Sequence, residues 1–132
     1  MSDPREYNYI SANNGLQVSI GSYWDSSQTW TSGLTKAAAL PVDLTSLVLS
    51  GNILLSDGTE FPLVEVLVDG TTGIKVNADR TTGQYTIQVS EADSGSLTAD
   101  IIGIYDIRYT DLTPITKVLN KGKIEFQLTA SS

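Results

Sequence analysis

The chain has 132 residues, with eight lysines and arginines against fifteen aspartates and glutamates, and it has neither cysteine nor histidine. That length suits one domain with its own core, because compact domains commonly contain about 100–150 residues. The net charge of −7 disfavours nucleic acid and anionic membranes as partners, and the lack of cysteine excludes disulfides and thiolate metal sites.

Residues 1–36 are polar, rich in turn-forming residues and unusually aromatic. They predict either an arm that becomes ordered against a partner or strands of the sandwich, as an added pair or as an ordinary first strand, and the sequence leaves these alternatives open. Tryptophan and tyrosine are enriched at binding hot spots, so we predict partner contacts at Tyr7, Tyr9, Tyr23, Trp24 and Trp30. An alternative for one of the two tryptophans is a place in the hydrophobic core.

From residue 37 to residue 132, apolar and polar residues alternate in short runs, which is typical of half-buried strands. Runs of this kind cover 45–55, 61–68, 74–76, 84–89, 101–110 and 123–129. Asp57-Gly58 predicts a hairpin, because this pair readily adopts the positive φ angles of primed turns. Residues 90–94 predict one helical turn capped by Ser90. Because no long helix is predicted, the pattern indicates an antiparallel β-sandwich of about seven strands.

Several positions inside these runs carry a specific expectation. Gly51 and Gly103 lie within predicted strands, where a glycine indicates a bulge or a close approach of another backbone. Glu65 stands between two valines and is predicted to point to solvent. In the last run, alternation predicts that Phe126 and Leu128 face inward.

The residue types present offer little catalytic chemistry. Without histidine there is no Ser-His or Cys-His pair and no imidazole metal ligand. A hydrolase based on two carboxylates remains formally open, but several acids lie in predicted turns, where their side chains bind the backbone: Asp57, Asp69, Asp79 and Asp93. Loop aspartates also suit calcium, yet no run has the spacing of an EF-hand loop. We therefore predict no enzymatic activity, no catalytic residue, no metal and no cofactor.

Four short motifs occur in order along most of the chain. Residues 40–45 read LPVDLT, residues 79–87 read DRTTGQYTI, residues 103–109 read GIYDIRY and residues 119–124 read LNKGKI. The set resembles small immunoglobulin-like domains of tailed-bacteriophage structural proteins, of the upper-baseplate and tail-associated type. The resemblance covers about Leu40 to Leu128.

This resemblance implies an immunoglobulin-like β-sandwich over residues 37–132 and a non-enzymatic role in the virion. The implied roles are a tail, collar or baseplate adaptor, or a capsid decoration protein. The implied partners are other virion structural proteins, bound through sandwich edges, loops and the N-terminal segment, in a symmetric homo-oligomer or repeated copies. The implied location is the virion, after synthesis in the host cytoplasm. The alternative is a carbohydrate-binding module in which Trp24 and Trp30 stack on sugar rings.

Overall fold

Two stacked β-sheets account for most of the residues that the computed structural model describes, which are 7–12, 17–113 and 115–128. The ten strands found within these ranges are β1 (Tyr7–Ala12), β2 (Gln17–Ser19), β3 (Trp24–Gly33), β4 (Leu40–Pro41), β5 (Val48–Leu55), β6 (Glu60–Val64), β7 (Gly73–Val76), β8 (Gln84–Val89), β9 (Ile101–Thr110) and β10 (Thr116–Gln127). One short helix, α1 (Glu91–Gly95), and one 3₁₀ turn (Arg80–Thr82) complete the set.

The strand order is that of an immunoglobulin fold. The first sheet has the order β1-β3-β8-β7, with β4 also paired to β3, and the second has the order β2-β10-β9-β5-β6. These orders correspond to strands A-B-E-D and G-F-C-C′ of immunoglobulin domains, with β2 added parallel to β10. The other strand pairs are antiparallel. The predicted immunoglobulin-like sandwich is therefore confirmed.

The described part of the segment before residue 37 is not a separate arm or an added pair of strands, and it agrees with the alternative of ordinary strands of the sandwich. Its longest strand, β3, lies between β1 and β8, in the interior of the first sheet. The described part of the segment thus supplies integral strands of both sheets. The sequence hides this role because two inward-facing residues of β3 are polar: Ser26 and Gln28 are almost fully buried. Residues 1–6 and 13–16, which the arm would include, lie outside the described residues.

A polar contact in the core joins the two sheets. The hydroxyl of Tyr85 on β8 donates to Oε1 of Gln28 on β3 (2.7 Å). The same oxygen accepts a hydrogen bond from Nδ2 of Asn120 on β10 (3.1 Å). Burial is the main cause that raises the pKa of Tyr85, so this phenol stays neutral and keeps its proton for Gln28. The side-chain oxygen of Gln28 thus receives one of these two hydrogen bonds from the opposite sheet.

The core is otherwise aliphatic and aromatic, and the predicted alternation supplies most of it. Fully or almost fully buried residues come from both sheets and include Leu49, Ile53, Leu63, Ile74, Ile87, Ile107, Ile124 and Phe126. Burying each such side chain contributes about 1.5–3 kcal/mol to folding. Ser90 caps α1 by accepting a hydrogen bond from the Asp93 N–H, as predicted. Leu128 was predicted to face inward, but it lies past the end of β10 and is about half exposed.

Two strand boundaries differ from the predicted ones. The last strand begins at Thr116 and not at residue 123, because a register shift between Val118 and Asn120 interrupts the alternation that the prediction relies on. The strand predicted over 61–68 ends at Val64. After that residue the chain crosses to the first sheet, where Glu65 forms an isolated bridge with Ile74.

The prediction that Glu65 points to solvent is wrong, because its side chain forms an ion pair with Arg80. Its two carboxylate oxygens lie 3.0 Å and 3.2 Å from the guanidinium nitrogens Nη1 and Nη2. Arg80 also donates to the carbonyl oxygens of Leu44 and Leu47, and Glu65 accepts from the N–H of Leu49. A bidentate pair with these additional bonds fixes the geometry of both side chains. We call these residues the Arg80–Glu65 clamp.

Both strand glycines meet another backbone closely, as predicted. A Cβ on Gly51 would lie 2.2 Å from the carbonyl oxygen of Asp106, and one on Gly103 would lie 2.9 Å from that of Leu54. These distances are too short for any side chain. The glycines are therefore required by the close contact of β5 with β9.

The close approach at Gly51 predicts that Gly51→Ala destabilises the protein by about 1–3 kcal/mol, because the neighbouring backbone must move. Gly95→Ala is the matched control, since a Cβ there would only reach ordinary contact distance from Gly21. We expect the control to change the unfolding free energy by less than about 0.5 kcal/mol. Urea denaturation measures both. Equal stability of the two variants would contradict the close approach.

For the Arg80–Glu65 clamp, we expect Glu65→Ala to lower the unfolding free energy by about 2–3 kcal/mol, because Arg80 and the Leu49 N–H both lose their acceptor. Asp69→Ala breaks the more exposed Lys75–Asp69 pair (2.9 Å) and should cost less than about 0.5 kcal/mol. Thermal or urea unfolding of the two variants compares a clamped pair with a surface pair. A Glu65→Ala loss no larger than the Asp69→Ala loss would show that the clamp does not hold the fold together.

Candidate binding surfaces

The five aromatic residues predicted as partner contacts do not form one surface. Tyr7 lies in β1, and its side chain is outside the described part of the structure. Tyr9 is half-buried and lies opposite Thr31 in the pairing of β1 with β3. Its neighbour Ile10 lies opposite the inward-facing Trp30, so Tyr9 is on the outer face of the first sheet.

Trp30 is a core residue and not a partner contact. It is 4% exposed, and its ring centre lies 5.0 Å from that of Tyr109 on the opposite sheet. Trp24, at the other end of β3, is half-buried and packs against the same core. This corrects the predicted contact role of Trp30 and agrees with the alternative in which one tryptophan fills the sandwich. The physical reason is that β3 is an interior strand whose inward positions must be filled.

Tyr23 remains the most accessible of the aromatic residues whose side chains are described. It is 37% exposed, and its hydroxyl lies 2.9 Å from Gln88 Oε1 and 3.1 Å from Asp25 Oδ2. Partial burial, and then the hydrogen bond to Asp25, raise the pKa of Tyr23 to about 12. The side chain is therefore a neutral hydrogen-bonding group at physiological pH.

The outer face of the first sheet carries a polar groove. It spans β3, β7 and β8 and encloses about 760 Å³. Hydroxyl and amide side chains dominate its lining, with one ion pair between Lys75 and Asp69; the polar lining residues include Ser27, Thr29, Asn77, Gln84 and Thr86. Such a lining offers hydrogen bonds but no nucleophile with an adjacent base.

The outer face of the second sheet is different, because six of its side chains are aliphatic and exposed. They are between 47% and 60% exposed, and they are Val48 and Leu54 on β5, Val64 on β6, Ile102 and Ile104 on β9, and Val118 on β10. We call this surface the aliphatic face. Sequence analysis did not single it out. The sequence does contain a signal for it, in the two runs 53–55 and 101–104. Burial of one sheet face requires an apolar residue only at every second position, whereas these runs have apolar residues on both faces.

Acidic side chains serve the turns. In four Asp-X-Thr turns, the carboxylate accepts hydrogen bonds from the threonine two residues later: Asp43–Thr45, Asp57–Thr59, Asp79–Thr81 and Asp111–Thr113. These bonds favour the ionised form and lower the pKa of all four carboxyls. The turn roles predicted for Asp57 and Asp79 are confirmed. Asp69 instead pairs with Lys75, and Asp93 accepts a hydrogen bond from the Thr72 hydroxyl.

Residues 7–12, 17–113 and 115–128 contain neither a metal-binding cluster nor a membrane-spanning helix. No group of three or more acidic side chains is placed to hold a metal ion there. No helix in the same ranges is long and apolar enough to cross a membrane. The surfaces that carry a functional argument are thus the polar groove and the aliphatic face.

The turn acids lead to a pH-dependent prediction. Thr81→Val removes the hydroxyl that donates to Asp79, which is the largest cause of its lowered pKa. We expect the Asp79 pKa to rise toward its ordinary value while that of Asp57 stays low. When folding lowers the pKa of a carboxyl group, the folded state is stabilised at pH values above the ordinary pKa. This stabilisation is lost as pH falls through the folded-state pKa. The unfolding free energy should therefore decline less in acid for the variant than for the parent chain.

Carbon-detected NMR titration of the aspartate carboxyl groups measures these pKa values directly, and Asp57 serves as the internal control. An Asp79 pKa that does not respond to Thr81→Val would contradict the turn geometry.

Comparisons with protein-family models and with curated protein sequences find no match to this chain. Among solved structures, it is similar to AggA, the major subunit of aggregative adherence fimbriae type I from Escherichia coli, with 8% sequence identity, a TM-score of 0.46, and coverage of 94% of this chain and 95% of that chain. It is also similar to ACE19, the collagen binding subdomain of the Enterococcus faecalis surface protein ACE, with 12% identity, a TM-score of 0.21, and coverage of 96% and 99%. Similarity at this level carries no functional argument, so function is argued from the chain's own surfaces.

Proposed function

We propose that this chain is a non-enzymatic structural component of a bacteriophage virion that binds neighbouring virion proteins through its exposed sheet surfaces and loops. The observation that carries the binding role is the aliphatic face, since six exposed aliphatic side chains on one sheet are typical of a protein–protein contact surface. The virion role is inferred from the four ordered motifs and the family that they resemble.

The positions of the four motifs are compatible with a shared fold. LPVDLT contains β4 and the first Asp-X-Thr turn, and DRTTGQYTI contains the 3₁₀ turn and the first part of β8. GIYDIRY lies in β9, and LNKGKI lies in β10. Each motif thus lies in a turn or a strand of the sandwich. This supports a common architecture with the tail-associated domains, from which the roles of tail, collar or baseplate adaptor or capsid decoration protein are proposed.

The structure favours a different docking element from the N-terminal arm that the sequence indicated. An N-terminal arm would be the natural docking element, but residues 7–12 form β1 and pair with β3 along their whole length. The described docking candidates are instead the aliphatic face and Leu112, a loop residue that is 83% exposed. Hydrophobic side chains at such positions are available to a partner without any unfolding.

Carbohydrate binding is the weaker alternative. Stacking on a sugar ring requires an exposed aromatic face, whereas Trp30 is buried and Trp24 is half-buried. The polar groove offers hydrogen bonds from hydroxyl and amide groups, and its described lining contains one aromatic residue, Tyr85, which is 1% exposed. We therefore place virion assembly ahead of glycan binding.

The virion role predicts that the chain is present in purified particles from its source at a fixed copy number. Quantitative mass spectrometry with isotope-labelled peptides would measure its ratio to the main shell protein. A ratio near one indicates capsid decoration, and a small number that matches a ring indicates the tail, collar or baseplate. Absence from particles would contradict the proposal. Fluorescence titration of the same chain with a polysaccharide panel would then test the alternative.

A further inference from the structure

We propose that the aliphatic face binds the aliphatic face of a second copy of this chain, about a two-fold axis that runs parallel to the strands of the second sheet. The proposal goes beyond the virion role and does not depend on it. It names one surface, one partner and one symmetry.

The two outer faces of the sandwich contrast sharply. The outer face of the first sheet is polar, with serine, threonine and glutamine on β3 and β8. An antiparallel sheet that faces water normally has such an outer face. The second sheet breaks this rule at six positions, which together form the aliphatic face. A second protein surface, and not solvent, is the environment that suits it.

Strand pairing arranges the aliphatic face in rows, because residues directly opposite each other point to the same side. The first row, from β6 to β10, is Glu60, Leu54, Ile104 and Lys123. The second is Pro62, Asn52, Asp106 and Lys121, and the third is Val64, Ser50, Arg108 and Val118. Negative charge thus lies at the β6 side of the first row, and positive charge lies at the β10 side of the first two.

A two-fold axis parallel to the strands keeps each row and reverses its order. It places β10 of one copy over β6 of the other, and β9 over β5. In the first row, Lys123 then faces Glu60 of the second copy, and Ile104 faces Leu54. In the third row, Val118 faces Val64. Four of the six aliphatic residues therefore meet aliphatic residues, and opposite charges meet at the rim of the first row. Val48 lies opposite Thr110, so across the axis it faces a threonine.

The other in-plane axis, perpendicular to the strands, fits less well. It reverses the order of the rows but keeps each strand over its own copy, so β10 lies over β10. Lys121 and Lys123 would then lie over the same strand of the partner, whose acid on this face, Glu125, is already paired with Lys123 (3.4 Å). Glu60 would lie over β6, which has no basic residue. Charge complementarity therefore selects the axis parallel to the strands.

The same axis leaves no unpaired charge among the central polar residues. Asp106 and Arg108 already form an ion pair (3.0 Å) within one copy, so neither charge enters the interface alone. Across the axis, Asp106 faces Asn52 and Arg108 faces Ser50 of the partner. Both are neutral hydrogen-bonding residues. No like charges face each other in the three rows.

The size of the face indicates a dimer that dissociates on dilution. Four strands about 4.8 Å apart, with about 3.4 Å per residue along each strand, give a face of about 20 Å by 20 Å. That is about 400 Å² per partner, about half of the 800 Å² that stable interfaces bury, so the dimer belongs with the weak, transient associations. Sheets that pack face to face also cross at about 30°, which concentrates contact near the axis. We therefore expect a concentration-dependent equilibrium between monomer and dimer.

Sedimentation of the full chain from about 10 µM to 1 mM tests this equilibrium. We expect a mass that rises toward twice that of the monomer. Ile104→Asp should raise the dissociation constant at least about tenfold, because each dimer then buries two unpaired charges. Leu67→Asp is the matched control, since Leu67 is an exposed aliphatic residue outside the face, and it should leave the constant unchanged. Circular dichroism confirms that both variants fold.

A charge exchange tests the axis itself. Lys123→Glu and Glu60→Lys should each raise the dissociation constant about threefold or more, because an attraction becomes a repulsion at two places in the dimer. The double variant should return to within about twofold of the parent chain. Because the chain has no cysteine, mixed Leu54→Cys and Ile104→Cys chains can also be joined by a short bis-maleimide. Mixed dimers should exceed either single-variant dimer.

Three results would overturn the proposal. One is a chain that stays monomeric up to 1 mM. Another is a dimer that is insensitive to Ile104→Asp or equally sensitive to Leu67→Asp. The third is a double charge exchange that adds the two losses and does not restore binding. Each is independent of the copy number in particles, so failure of this inference and failure of the virion role are distinguishable.

Discussion

The Arg80–Glu65 clamp lies where the chain passes between the two sheets, and much of the remaining structure depends on its geometry. Arg80 belongs to the turn before β8, Glu65 follows β6, and the carbonyl groups that Arg80 binds precede β5. One guanidinium group thus organises three connections at the same end of the sandwich. The Leu49 N–H donates to Glu65 just beyond the last residue pair of β5 and β6, so the carboxylate takes over where the strand ladder ends. The clamp therefore helps to set where β5 begins.

The position of β5 in turn determines both sides of the second sheet. Its inward residues Leu49 and Ile53 fill the core, and its outward residues Val48 and Leu54 belong to the aliphatic face. A shift by one residue would exchange the two sets, because the side-chain period of a strand is two. The required glycine at position 51 reinforces the register, since only a residue without Cβ fits against the backbone of Asp106. Core packing and the proposed docking surface are thus consequences of the same constraint.

Most charged side chains in the described part of the chain form hydrogen bonds or ion pairs that support the fold. Carboxylates stabilise turns, the arginine of the clamp joins loops, and the exposed pairs decorate surfaces where each contributes little. Assembly by such a domain relies on shape and hydrophobic contact, with charge used to choose orientation. The aliphatic face has that composition, with aliphatic residues around a central Asp106–Arg108 ion pair and with Glu60 and Lys123 on its outer strands. The proposed virion role and the proposed self-association both draw on this property, but they require different partners and stand or fall separately.

Sequence alone determined the fold class, the location of most strands and the turn chemistry. Alternation marked 84–89 and 101–110 as half-buried strands, and Asp57 and Asp79 could be assigned to turns, because these signals come from residues close together in the chain. The candidate site could be predicted less well from the sequence, because Trp30 was assigned to a contact surface and the aliphatic face was not singled out.

Tertiary structure decided what depends on contacts between distant segments. It placed β3 inside the first sheet although Ser26 and Gln28 are buried, and Tyr85 and Asn120 supply hydrogen bonds from other strands to the side-chain oxygen of Gln28. It also paired Glu65 with Arg80 and aligned the rows of the aliphatic face. Local patterns cannot specify such pairings, since they are selected only when two sheets close over one core and each buried polar group must find a partner.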